Sequence, residues 1–190
     1  YKRLKETYKP QYEPHIWNDN KFLKGSHNCY SYFLNDINND LSRIYENDKD
    51  VRNYINPQPG HYCGMTKRVN YKETTCKNII ERVLCDNPDI KVIDNQNIDC
   101  GPNFYKGALA IDKGEMYHFY RQDESGMWSH KDGGSGITNL DYSGNRISDP
   151  KMSDRGRYDE FCSYFCVPNN EYKKTNMARN NFKEEKLWYS

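Results

Sequence analysis

The residue with the clearest capacity for chemistry is Cys29, in the stretch KGSHNCYSYFLNDINNDLSRIYEN over residues 24–47. Either Ser26 or Asn28 supplies a side-chain oxygen of the kind that caps a helix start, which places Cys29 in the first turn. A helix N-terminus carries partial positive charge and free N–H donors, so it stabilises a thiolate, the form of sulfur that attacks a carbonyl carbon. The position favours a reactive thiol, and the alternative is a buried structural one.

A nucleophilic cysteine requires a base, and histidine is the usual one. His118 lies in the strand-like stretch EMYHFYRQ, and the turn residues that follow predict a hairpin that pairs residues 115–121 with residues 127–132. His118 and His130 should then face the same side of the sheet. The third group, which fixes the tautomer of His118, is predicted to be His130 or alternatively Asp132.

The elements that position these residues follow from the spacing of the apolar side chains. Steps of three and four residues after Gly25 predict one helix over residues 28–46, the longest in the chain, and a second helix covers residues 71–84. The pattern then becomes extended and rich in β-branched and aromatic residues, which predicts strands in IKVID, YKGALAID, EMYHFYRQD, GMWSHK and FCSYFCVP. This order indicates an α+β fold in which the first helix packs on a mostly antiparallel sheet that includes residues 107–131, through Phe33, Leu34, Ile37 and Leu41.

Three parts of the chain are predicted from these patterns. Residues 1–24, with prolines and no periodicity, should form an extended N-terminal arm. Residues 25–168 form the single α+β domain, and residues 169–190 form a charged tail. Both ends are expected to contact protein partners, since arms without their own core order on a neighbour.

Composition excludes several classes of function. With 28 Lys and Arg against 27 Asp and Glu, the net charge of +1 provides no field that would attract nucleic acid or an anionic membrane. No run is long and apolar enough to span a bilayer. The start at Tyr1, without Met or an apolar leader, suggests a trimmed or processed product, and a secreted or virion-associated location is favoured over a cytoplasmic one.

The cysteines constrain pairing without settling it. There are seven, so at least one is unpaired within a monomer. Cys162 and Cys166 are too far apart to bond to each other if FCSYFCVP is a strand.

The order of a cysteine on a helix N-terminus, a histidine on a strand and a polar residue on the next strand resembles papain-like thiol hydrolases. NCYSYFL and MYHFY match the cysteine helix and histidine strand of the compact NlpC-type and CHAP-type amidases and peptidases, over roughly residues 25–132. The resemblance implies hydrolysis of a peptide or other amide through a thioester, with Cys29 as nucleophile, His118 as base and acid and His130 as orienter. It implies no cofactor and no metal, and it places the Cys29 sulfur within about 4 Å of a His118 nitrogen.

Other interpretations of the same residues are weaker. His61 and Cys63, together with His118 or His130, offer a sparse set of zinc ligands. The glycine-rich DGGSG lacks the lysine and helix of a phosphate loop, so it favours a simple loop. A carbohydrate-binding module is compatible with 14% aromatic residues. The main alternative to an enzyme is a non-catalytic component of a large assembly, such as a minor capsid protein of a virion, on a papain-like scaffold.

Overall fold

The computed structural model describes residues 9–47, 57–65 and 71–169. Its helices are short and come first in the chain, and an antiparallel sheet follows. The helices are α1 (Pro14–Asp19), α2 (Lys21–Ser26), α3 (Cys29–Phe33), α4 (Asn39–Asn47) and α5 (Cys76–Asp86), with a 3-10 turn over Tyr71–Glu73. The predicted α+β class is therefore confirmed.

The single long helix predicted over residues 28–46 is wrong. The chain leaves the helix after Phe33, and Asn35 takes a φ of 50°, in the left-handed region that interrupts helices. A new helix begins when the Asn38 side chain accepts hydrogen bonds from the next main-chain amides, those of residues 40 and 41. Ile37 was predicted to pack on the sheet, but the break leaves its side chain 37% exposed and outside the core.

The N-terminal segment is also more ordered than predicted. Residues 14–26 form α1 and α2 instead of an extended arm, and the side chains of Trp17 and Leu23 are buried. Trp17 packs edge-on against Tyr32, with ring centroids 4.9 Å apart. Residues 1–8 and 170–190, which include the predicted tail, lie outside the described part.

Within the described residues the sheet has six strands in the order β1-β6-β2-β3-β4-β5, and all neighbours are antiparallel. Each of the five predicted strand segments forms a strand, and β5, within the long glycine-rich segment, was not predicted. The bounds are β1 (Lys91–Ile93), β2 (Phe104–Asp112), β3 (Met116–Gln122), β4 (Trp128–Lys131), β5 (Ile137–Thr138) and β6 (Glu160–Pro168).

One face of the sheet packs against α3 and α5. Phe33 lies directly over Gly107 of β2, where a Cβ would come within 2.1 Å of the Phe33 ring. The ring also contacts Phe119 and Phe165, with centroids 4.7 and 5.5 Å apart. Glycine at position 107 therefore makes the close approach of the helix to the sheet possible.

The other face is covered by residues 139–159, the loop segment. Ile147 and Tyr158 of this segment are buried against Tyr120, Trp128 and Tyr164 of the sheet. The sequence predicted only a simple loop in DGGSG, and the segment that follows β5 forms a third layer of the fold. The Arg155 guanidinium stabilises the C-terminal part of the loop segment. It donates hydrogen bonds to the main-chain oxygens of residues 150, 151, 158 and 159.

A second buried guanidinium joins the helices to the sheet. Arg121 of β3 is fully buried and donates to the Tyr32 hydroxyl at 2.9 Å and to Asn35 at 2.7 Å. It also donates to the Gln11 carbonyl and lies 3.6 Å from the Asp123 carboxylate. A buried cation is tolerated only where such partners replace water, so this network positions α3 over the hairpin.

Candidate functional site

Cys29 lies where the sequence places it, at the first position of α3. The Asn28 side chain caps the helix by accepting from the main-chain amides of Tyr30 and Ser31 at 3.1 and 3.2 Å. The Asn28 amide nitrogen donates to the Pro57 carbonyl at 2.7 Å, which fixes the cap from outside the helix. Of the two caps considered, Asn28 is the one used.

The environment of Cys29 opposes ionisation. The thiol is 7% exposed, and burial raises its pKa to about 12, while main-chain hydrogen bonds at Phe119 and Tyr30 only partly counteract the shift. The helix behind it has only five residues, which limits the field at its start. Burial therefore favours the protonated form of the Cys29 thiol at neutral pH.

The histidine hairpin is confirmed. Strands β3 and β4 pair in antiparallel register, with Tyr120 opposite His130. His118 and His130 face the same side and share a hydrogen bond of 2.8 Å between His118 Nε2 and His130 Nδ1. We call these two residues the histidine pair.

The hydrogen bonds of the histidine pair fix its protons. His130 Nε2 lies 3.0 Å from the Leu140 carbonyl, which accepts only, so this nitrogen carries the proton and Nδ1 accepts from His118 Nε2–H. Burial and the neighbouring His130 hold the pKa of His118 well below its usual range. Burial also lowers the pKa of His130, so both rings are neutral at pH 7.

The Cys29 sulfur was predicted to lie within about 4 Å of a His118 nitrogen, and no hydrogen bond joins these two side chains among the described residues. Cys29 packs in the cluster on the helix side of the sheet, with Phe119, whereas the His118 ring contacts Tyr120 and Tyr158 under the loop segment. Cys29 nevertheless lies close enough to Tyr158, which stacks on the His118 ring, to raise the pKa of that phenol beyond the effect of burial. The alternative orienter, Asp132, accepts instead from the Tyr142 hydroxyl at 3.1 Å.

The rival metal and phosphate sites do not form. Cys63 is bonded to Cys85, so its sulfur is not free to bind zinc beside His61. The described residues contain no cluster of three or more side chains suited to holding a metal ion. In the DGGSG loop, the carbonyls of Gly133 and Ser135 accept from the buried Lys131 ammonium, so this loop presents oxygen atoms where a phosphate would need N–H groups.

Six of the seven cysteines form disulfide bonds within the chain. The pairs are Cys63–Cys85, Cys76–Cys162 and Cys100–Cys166, and Cys29 is free. The odd thiol and the absence of a Cys162–Cys166 bond were both predicted. The pairing itself was missed, because it joins residues that are distant in sequence. Disulfide bonds of this number are typical of proteins that fold in an oxidising compartment outside the cytosol.

Within the described ranges, no helix has both the length and the apolar character needed to cross a membrane. No family model matches the chain. No solved structure matches it either.

A curated protein does match. Insoluble matrix shell protein 1 of Ruditapes philippinarum is 30% identical over 157 residues, which cover 83% of this chain and 89% of that protein. The chain belongs to the family of this shell matrix protein. The match covers most of the length of both chains and is not limited to one motif.

Membership of the shell matrix family corrects the prediction of a hydrolase. The relative is named for a place in an insoluble matrix and not for hydrolytic chemistry, so the assignment as a thiol protease or amidase is wrong. The same name points to a shell and not to a virion or capsid. The similarity favours the alternative of the sequence analysis, a structural component of a large assembly.

Proposed function

We propose that the protein is a non-catalytic structural component of an insoluble extracellular matrix. The observation that carries this proposal is the similarity to a shell matrix protein along most of both chains. A buried, protonated Cys29 agrees with it, since a thiol that does not ionise provides no nucleophile.

The covalent structure suits a protein that must persist outside the cell. The bonds Cys76–Cys162 and Cys100–Cys166 tie α5 and the segment before β2 to β6, and Cys63–Cys85 ties residues 57–65 to α5. Disulfide bonds stabilise a fold chiefly by restricting the unfolded chain. We expect such a protein to stay folded outside the cell, where newly synthesised copies do not replace it.

The state of the cysteines also bears on how copies would be joined. All seven cysteines belong to the described residues, six are paired within the chain and Cys29 is buried. We therefore expect copies to associate without disulfide bonds between chains. The partners in this proposal are other matrix proteins, and the charged tail predicted over residues 169–190 is the expected contact segment.

Sequential extraction of the source organism's extracellular matrix tests the proposal. An antibody against the folded domain should detect the protein in the residue that remains after salt and non-denaturing detergent. Denaturant without a reductant should release it as monomer on a non-reducing gel. Recovery of the protein only in the cytosolic fraction would reject the matrix role, and disulfide-linked multimers would reject the mode of association.

A truncation separates the role of the tail from that of the domain. Deletion of residues 170–190 should leave the folded domain intact by circular dichroism and lower its co-sedimentation with matrix extract. Equal co-sedimentation of the full and truncated chains would show that the tail is not the contact segment.

A further inference from the structure

The histidine pair links three parts of one face of the sheet. His118 belongs to β3 and His130 to β4, and the bond from His130 to the Leu140 carbonyl reaches the loop segment. Tyr158, from the other end of that segment, stacks on the His118 ring with centroids 4.7 Å apart and planes 17° apart. The pair therefore lies at the contact between the sheet and its loop layer.

This arrangement accommodates one additional proton at most. The first would enter at His118 Nδ1 and leave both hydrogen bonds in place, at the cost of a buried cation. A second would put N–H groups on both nitrogens that now lie 2.8 Å apart, so the rings would have to separate. The two rings consequently take up protons as a coupled unit.

Several titratable and charged groups face the pair. The phenols of Tyr120, Tyr142 and Tyr158 surround the rings, and they are neutral at pH 7 because burial raises their pKa values. Asp132 and Asp141 favour protonation of His130, but burial opposes it more strongly. Cys29 of α3 raises the pKa values of these tyrosines further, and the guanidinium groups of Arg155 and Arg157 lower them.

The half of the fold that contains the pair has no covalent cross-link. No cysteine occurs from residue 101 to residue 161, which covers β2 to β5 and the loop segment. The three disulfide bonds all join residues outside this range. An opening of the loop layer is therefore possible while the disulfide-bonded half stays folded.

We propose that the histidine pair is an acid-sensitive contact, whose protonation separates the rings and releases the loop segment from the sheet. This acid-sensitive contact is independent of the proposed matrix function, since it depends only on the contacts of the histidine pair with the loop segment. At neutral pH the neutral pair holds the segment closed. Acidification favours the open form, in which both rings take up protons from water.

Amide hydrogen exchange of the full oxidised chain between pH 7.5 and 5 tests this proposal, after correction for intrinsic exchange. The reporters are the Trp128 amide, which donates to the Ile147 carbonyl between the sheet and the loop segment, and the amides of Tyr142 and Ile147 within that segment. The references are amides of the β2–β6 ladder. The opening equilibrium of the reporters should rise about tenfold per pH unit for each proton taken up, once the pH falls below about 6.5. The references should keep their protection.

Two variants and a ring measurement complete the design. His118→Gln and His130→Gln should each reduce the acid response of the reporters, whereas His15→Gln, at an exposed histidine, should match the wild type. Ring nitrogen NMR of the wild-type protein should show Nε2–H on both rings at pH 7.5. Independent titration of the two rings near pH 6.5, equal acid responses in all variants, or loss of protection in reporters and references together would overturn the proposal.

Discussion

The Asn18 side-chain amide pairs with the main chain of Ile137 at the outer edge of the sheet. The Ile137 amide donates to Asn18 Oδ1 at 2.6 Å, and Asn18 Nδ2 donates to the Ile137 carbonyl at 3.2 Å. A Cβ at Gly136 would lie 2.6 Å from Asn18 Oδ1, so glycine leaves the necessary room. One residue of α1 thus occupies the hydrogen-bonding groups that an added strand would use.

Asn18→Ala should remove this protection of β5. We expect the free energy of unfolding to fall by about 1–2 kcal/mol, because two main-chain groups lose their partner. Asp19→Ala, at an exposed neighbouring position, is the matched control and should change stability little. Denaturant unfolding measures both, and equal values for the two variants would contradict a specific role of Asn18.

Phe33→Ala should be among the most damaging changes in the core. The Phe33 ring is fully buried between α3 and the sheet, so truncation leaves a cavity and should cost about 3–5 kcal/mol. Ile37→Ala is the control, since Ile37 is 37% exposed after the helix break. A loss at Ile37 as large as the loss at Phe33 would contradict the observed break between α3 and α4.

The helix break shows where sequence reasoning succeeds and where it fails. The strands and the β3–β4 hairpin were predictable because their alternation and turn residues act over a few positions. The helix periodicity extended across the polar run NDINND, and the left-handed Asn35 interrupts the helix there. The partners of Arg121 and the disulfide pairs could not be predicted, because tertiary contacts bring them together over long separations.

Cys29 is expected to resist alkylation in the native protein. The rapid labelling implied by an activated thiolate should not occur, because burial both shields the sulfur and raises its pKa to about 12. Iodoacetamide at neutral pH should modify no cysteine of the native oxidised chain and only Cys29 after denaturation. Peptide mass spectrometry locates the label, and fast native modification of Cys29 would show that the thiol is accessible.

The three disulfide bonds should differ in their contribution to stability. Cys76–Cys162 spans 86 residues and Cys63–Cys85 spans 22, so the chain-entropy model assigns roughly 1 kcal/mol more to the longer loop. The paired variants C76S/C162S and C63S/C85S, compared by denaturant unfolding, measure this difference. A larger loss for C63S/C85S would mean that local packing outweighs loop entropy.

His27 should make stability depend on pH at the junction of α2 and α4. The Asn38 amide donates to His27 Nε2 at 2.9 Å, so this nitrogen must be unprotonated, and Nδ1 lies 3.1 Å from the Leu23 carbonyl as the donor. Burial lowers the pKa of His27 to about 4. The folded state therefore binds fewer protons than the unfolded state between about pH 6.5 and 4.

The contribution of His27 is consequently complete above about pH 6.5 and is lost as the pH falls towards 4, a change of about 3 kcal/mol. His27→Gln keeps an acceptor for the Asn38 amide and removes the titrating ring. Its free energy of unfolding should depend on pH less steeply than that of the wild type, by about one proton across this window. His15→Gln should retain the wild-type slope, and a slope unchanged in His27→Gln would mean that His27 is not buried in its neutral form.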